Sequence, residues 1–214
     1  MALNNYEEAV VSINKAIKNN TRNINFANSL KGEALFYLGK YEESKKVFLN
    51  LLKENPNSFF SIAYLTDIDI NLGNYLEGIE RAEKALEEKR LDIKDSAYIE
   101  VNIGWIKLKY LNDLEGAYNH FSTATNSDKE LGTAYVGFGE YYLIKEEYQK
   151  AIENYEMAIE LYENTIDVYL VIAKDYKGLW QLEDALEYFK VVYNADLENE
   201  YALNEIKNIE KTIQ

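Results

Sequence analysis

Apolar side chains recur along this chain at steps of three and four, as in Ala151, Ile152, Tyr155, Ala158 and Ile159, the spacing of one face of a helix. Polar turns interrupt the pattern at 19–23, 38–41, 54–57, 73–75, 111–114 and 126–128. Gly39 and Gly73 stand where a helix end calls for a residue tolerant of positive φ, and Pro56, after Asn55, stops a helix that it cannot extend. Read in order, the segments predict twelve helices: one at 4–19, five hairpins, and a last at 199–213. The helices that close each hairpin repeat one another. GKYEESKKVFLNLL at 39–52 returns as GNYLEGIERAEKAL at 73–86, EEYQKAIENYEMAI at 146–159 and WQLEDALEYFKVVY at 180–193. Their opening residues, Tyr6, Tyr41, Tyr75, Leu114, Tyr148 and Leu182, are spaced by 35, 34, 39, 34 and 34. A period of that length predicts stacked helical hairpins, an architecture that mostly binds other chains rather than performing chemistry.

The register inside the copies sharpens the picture. A small residue recurs as Ala9, Ser44, Gly78, Ala117, Ala151 and Ala185, and a bulky one four positions later as Ile13, Phe48, Phe121, Tyr155 and Phe189, with Ala82 as the exception. In the first helices of the hairpins, Ile103–Gly104 and Phe138–Gly139 form a large-small pair, Gly32 follows Lys31, and Tyr142 and Tyr176 supply a later aromatic. By these residues the chain resembles the tetratricopeptide repeat family over nearly its full length. The resemblance implies an all-α, TPR-like α-solenoid, a right-handed superhelix of stacked antiparallel hairpins. It is expected as a single array over 1–214: an unpaired second-type helix at 1–23, repeats at 25–58, 59–92, 98–131, 132–165 and 166–199, and a solvating C-terminal helix at 200–214. Three departures are visible. Five extra residues fall in EEKRLDIKDSAY, the Gly104-to-Ala117 distance is 13 where Gly32-to-Ser44 is 12, and Asp69 takes the place of a core tyrosine. The last demands either a rotated helix or a partner for the carboxylate, because a lone buried charge is costly.

Composition narrows the function. With no cysteine, disulfides, thiol catalysis and Cys-based zinc sites are excluded, and a reducing cytoplasm is the expected setting. No segment approaches the length of apolar chain that spans a bilayer, and the first twenty residues read as an amphipathic helix rather than a signal peptide. Residues 1–58 carry 8 basic against 6 acidic side chains, whereas residues 59–214 carry 15 against 31. An acidic body repels phosphate backbones and anionic lipid, so neither nucleic acid nor membrane is expected as a partner. The one histidine, His120, has no serine, metal-ligand or phosphate-loop constellation around it and reads as a surface residue. No enzyme activity, cofactor or metal is expected.

In the related family, outward residues of the first helices line a concave face. Register places Phe26, Ser29, Glu33 and Phe36 there, then Phe60, Ala63, Asp67 and Ile70, then Val101, Trp105 and Leu108, then Val136, Glu140 and Leu143, then Leu170, Lys174 and Lys177. Phe26, Glu33, Phe36, Phe60, Asp67, Trp105 and Glu140 are the candidate site, an aromatic and acidic groove for a basic or amphipathic polypeptide. Ser29, Glu33, Ala63 and Asp67 do not supply the cations of a clamp for a C-terminal carboxylate. Two other roles compete. One is self-association through the ends, including an uncovered face of the first helix around Leu3, Val10 and Ile17. The other is a peptide-sensing segment of a larger bacterial regulator, in keeping with the Asn, Lys, Ile and Tyr content of an AT-rich genome.

Overall fold

The computed structural model describes residues 2–19, 22–161 and 165–213. The predicted turn at 19–23 falls partly outside these, as do the end of the repeat expected at 132–165 and the side chain of Leu3. The described residues form twelve α-helices and no strand: α1 Ala2–Lys18, α2 Ile24–Tyr37, α3 Tyr41–Glu54, α4 Phe59–Leu72, α5 Tyr75–Glu87, α6 Ile93–Lys109, α7 Leu114–Ser127, α8 Gly132–Ile144, α9 Tyr148–Glu160, α10 Ile166–Gly178, α11 Leu182–Ala195 and α12 Glu200–Thr212. The fold is an all-α, TPR-like solenoid. It divides into two compact units, Met1–Ile106 and Lys107–Gln214.

Side-chain caps start most of the first helices. Asn23, Ser58, Thr165 and Asn199 each accept a hydrogen bond from a backbone N–H three residues on, as do Asp92 before α6 and Asp113 before α7. The second helices begin straight out of a tight turn, and α7 alone of these five has the side-chain cap as well. In each of the five turns, the residue two before the opening position has positive φ: Gly39 at 71°, Gly73 at 76°, Asn112 at 52°, Glu146 at 59° and Trp180 at 60°. In four of them the next residue donates its N–H to the carbonyl five back: Lys40 to Leu35, Asn74 to Asp69, Glu147 to Tyr142 and Gln181 to Tyr176. This is the left-handed termination that satisfies a helix's last carbonyls. At the fifth, Asp113 reaches six back to Lys107, which is how the residue added between Gly104 and Ala117 is absorbed. The five residues added before it lengthen α6 to 17 residues, after a short 88–92 connection.

The small-large register is the packing code. Phe48, Phe121, Tyr155 and Phe189 are all buried, as are Ser44, Ala117, Ala151 and Ala185. Three of the rings press on a helix where no side chain stands in the way: an added Cβ at Gly32 would meet the Phe48 ring at 2.7 Å, at Gly139 the Tyr155 ring at 2.5 Å, and at Gly137 the Phe121 ring at 2.5 Å. In the first unit Phe48, Leu51, Leu65 and Ile68 form a core cluster, with Tyr64 stacked on Phe48 at 4.8 Å. In the second, Ala151, Ile152, Tyr155, Val168 and Ile172 form one cluster, and Ala173, Phe189, Val192, Ile206 and Ile209 another.

Asp69 is paired rather than rotated outward. Its carboxylate is fully buried, Arg81 Nη1 binds Oδ2, and Lys45 Nζ lies 2.7 Å from Oδ1. Glu77 closes the network, 2.9 Å from Arg81 and 3.0 Å from Lys45. Here α5 carries Ala82 where the other second helices carry a large residue, so the exception to the packing code and the buried charge occur in the same hairpin.

Candidate binding site

Two clefts open on the first unit, both built on the helices α2 and α4. One, of about 450 Å³, is lined by Phe26, Ser29, Leu30 and Glu33 of α2, by Leu51 at the end of α3, and by Phe60 at the start of α4. Phe26 is 59% exposed and Phe60 42% exposed, although both are large apolar rings. The second, of about 470 Å³, is lined by Phe36, Phe60, Ala63, Tyr64 and Asp67, with Tyr98 contributed by α6. Phe60 belongs to both, so the clefts adjoin along one face.

Local helix geometry brings these groups together. Phe60, Tyr64 and Asp67 are spaced by four and three on α4, which aligns them in one stripe. Glu33 and Phe36 stand three apart on α2. The aromatic walls are braced by ring contacts: Phe60 with Tyr64 at 4.7 Å, Phe36 with Tyr64 edge-on at 5.5 Å, and Phe59 with Tyr98 edge-on at 5.5 Å. Burial, and then the neighbouring Tyr37 and Glu33, raise the Tyr64 hydroxyl above its ordinary range, so it stays a neutral hydrogen-bonding group. Burial also lifts the Asp67 carboxyl to about 6, and no charged neighbour offsets that shift.

Of the seven residues expected to form the site, Phe26, Glu33, Phe36, Phe60 and Asp67 surround these two clefts. Trp105 is half-buried on α6 and lines neither. Glu140 lies on α8 in the second unit, where its charge raises the pKa values of Tyr155 and Asp175 after the larger effect of burial. Val101 and Leu108, expected to face outward, are buried at 2% and 4% exposure, and with Ala97, Ile99, Ile103 and Ile106 also buried, α6 is covered on opposite sides. His120 is half-buried rather than superficial, close enough to contribute to the lowering of the Asp113 carboxyl, whose main cause is the Gly116 N–H. Tyr64, Tyr98 and Leu30 are cleft residues that sequence reasoning missed. Tyr64 was recoverable from its place between Phe60 and Asp67 on the stripe. Among the described residues no group of three or more His, Asp or Glu side chains could hold a metal ion, and no helix is long and apolar enough to cross a membrane.

Two segments, residues 30–58 and 132–165, match family models described as tetratricopeptide repeat. No curated protein sequence matches the chain significantly. Among solved structures, a thermophilic TPR protein of Thermus thermophilus superposes with a TM-score of 0.63 at 18% identity, over 86% of this chain and 98% of that one. PilW, a type IV pilus biogenesis factor, gives 0.75 at 18% identity, over 95% and 90%. YrrB, a TPR protein with an unusual peptide-binding site, gives 0.56 at 16% identity, over 91% and 97%. At such identities the likeness speaks for the fold alone. The 34-residue period, the small-large register and the helix order agree with the matched segments, and the chain carries repeats of the tetratricopeptide family.

Proposed function

We propose that this protein is a non-enzymatic scaffold that holds a polypeptide segment against the α2 and α4 face of its first unit. The tetratricopeptide fold supports protein interaction in general terms. The observation that carries the finer reading is the exposure of Phe26 and Phe60 at the mouths of two adjoining clefts. A buried ring gains roughly 1.5–3 kcal/mol over an exposed one, so two rings left half in water are poised to be covered. Aromatic anchors seated in preformed pockets are the residues that contribute most to polypeptide binding. The clefts share Phe60, and two adjoining clefts fit a polypeptide segment better than a compact small molecule. Among the fold relatives, YrrB is described by its peptide-binding site, which is consistent with this role but does not assign it.

The test is a peptide-display selection on immobilised wild-type chain, followed by affinity measurement on a Phe26→Ser, Phe60→Ser variant. Selected peptides should lose at least about tenfold in affinity, about 1.4 kcal/mol, on the variant. Peptides that bind both proteins equally would move the site off this face.

A further inference from the structure

The acidic group within the second cleft specifies more than an apolar ligand. Among the described residues, Asp67 is the single carboxylate lining that cleft, and no basic residue lines it. Two positions further along α4, Asp69 faces the opposite way and takes both Lys45 and Arg81. Those cations are committed to the fully buried acid. Among the described residues no cation pairs with Asp67, and its carboxyl is held up by burial alone. Around it stand the rings of Phe36, Phe60, Tyr64 and Tyr98. Ring faces attract cations, a guanidinium stacks on them, and either charged head would recover the carboxylate's lost solvation.

We propose that this cleft receives the cationic side chain of a lysine or arginine from a bound polypeptide, its stem between the aromatic walls and its charged head on the Asp67 carboxylate. The inference rests on the reading of this face as peptide-binding and names the chemistry of the anchor. Charge complementarity selects the occupant. The residues from 59 onward carry 31 acidic against 15 basic side chains, so a basic segment is drawn to the chain before it docks, and Asp67 then fixes its register. An apolar anchor in the same place would bury Asp67 further without pairing it, which is unfavourable.

Two measurements separate this inference from the reading beneath it. In the first, acetyl-arginine amide and acetyl-lysine amide are titrated into isotope-labelled chain, with acetyl-norleucine amide as the uncharged control. The cationic compounds should shift the amide resonances of α4 around Asp67 in the wild type and leave them unshifted in Asp67→Asn. Asparagine keeps the shape of the residue, and circular dichroism confirms that the variant is folded. Equal shifts in both proteins, or none in either, overturn the proposal. In the second, the display-selected peptides should share a basic residue, and replacing it with norleucine should cost at least tenfold on wild type and almost nothing on Asp67→Asn. Peptides that need Phe26 and Phe60 but carry no basic residue would leave the peptide-binding face standing and sink the cation pocket.

Discussion

Each unit buries an aspartate on a first helix, and the two are handled in opposite ways. In the first unit Asp69 is 0% exposed and sits between Lys45 and Arg81, with Glu77 completing a four-residue charge network. In the second unit Asp175 is 2% exposed, and its Oδ2 has no hydrogen-bond partner among the described residues. Burial lifts the Asp175 carboxyl to about 7, the charge of Glu140 adds to the shift, and Lys174 opposes it only partly. The same element of the repeat thus tolerates a buried acid in two ways: by importing cations from the flanking second helices, or by letting the acid keep its proton. The first arrangement works at any pH where carboxylates ionise. The second works only while Asp175 is neutral.

The largest effect should come from stripping the first arrangement. Lys45→Met with Arg81→Met leaves a buried charge uncompensated and should cost about 3–5 kcal/mol, read as a fall in urea midpoint. Adding Asp69→Leu should recover most of the loss. If the double variant unfolds like wild type, the network contributes nothing and the contrast between the units disappears.

The second arrangement makes a prediction about pH with a definite sign. Because the folded value for Asp175 lies above the ordinary 3.8, the folded state binds the proton more tightly. Its contribution is therefore most favourable at low pH and is lost as pH rises from about 4 to about 7. Asp175→Asn, which mimics the neutral acid, should raise stability by up to about 4 kcal/mol at pH 8 and change it little at pH 4. A gain independent of pH would show that Asp175 is not the titrating group.

Turn chemistry extends the comparison. The positive-φ turn residues of the first unit's hairpins are Gly39 and Gly73, whereas those of the second unit are Asn112, Glu146 and Trp180. A left-handed conformation costs a residue with a Cβ about 1–2 kcal/mol, and glycine nearly nothing. Glu146→Gly or Trp180→Gly should therefore stabilise by about 1 kcal/mol, and Gly73→Ala should destabilise by a similar amount. Melting temperatures moving the other way would mean that contacts of the side chains outweigh backbone strain. The smallest effect is expected for Glu140→Gln, which removes a secondary contribution at Asp175 and should lower that group's pKa by less than about one unit, worth under about 1.4 kcal/mol. Following the Asp175 side-chain carboxyl resonance through a pH titration checks it.

Much of this was legible because a repeat states its rules several times. A register seen at Ser44 and Phe48 and again at Ala151 and Tyr155 locates the helix contacts without a structure, since a single helical period fixes which side chains meet. The stripe from Phe60 to Asp67 followed from the same periodicity. The cleft walls did not, because Tyr98 comes from a helix more than thirty residues away in sequence. Val101 and Leu108 were misplaced because register tells which face of a helix a residue occupies and not what covers that face: Ala97, Ile99, Ile103 and Ile106 are buried as well, on opposite sides of α6. The sequence marked Asp69, which stands in register with Tyr142 and Tyr176, but neither marked Asp175 nor said how either acid is handled. What separates them is whether cations 24 and 12 residues away fold back to the acid, and only the packed helices decide that.

Trp180 combines two properties, a backbone held at positive φ and a side chain 78% exposed to water. An unfolded chain seldom visits that backbone region unless the residue is glycine, so the α10–α11 hairpin has to search longer for its turn than the hairpins that close at Gly39 and Gly73. The two glycine hairpins should acquire protection from hydrogen exchange first during refolding, and the indole of Trp180, still in solvent after its hairpin forms, offers a fluorescence signal at the slowest corner to close.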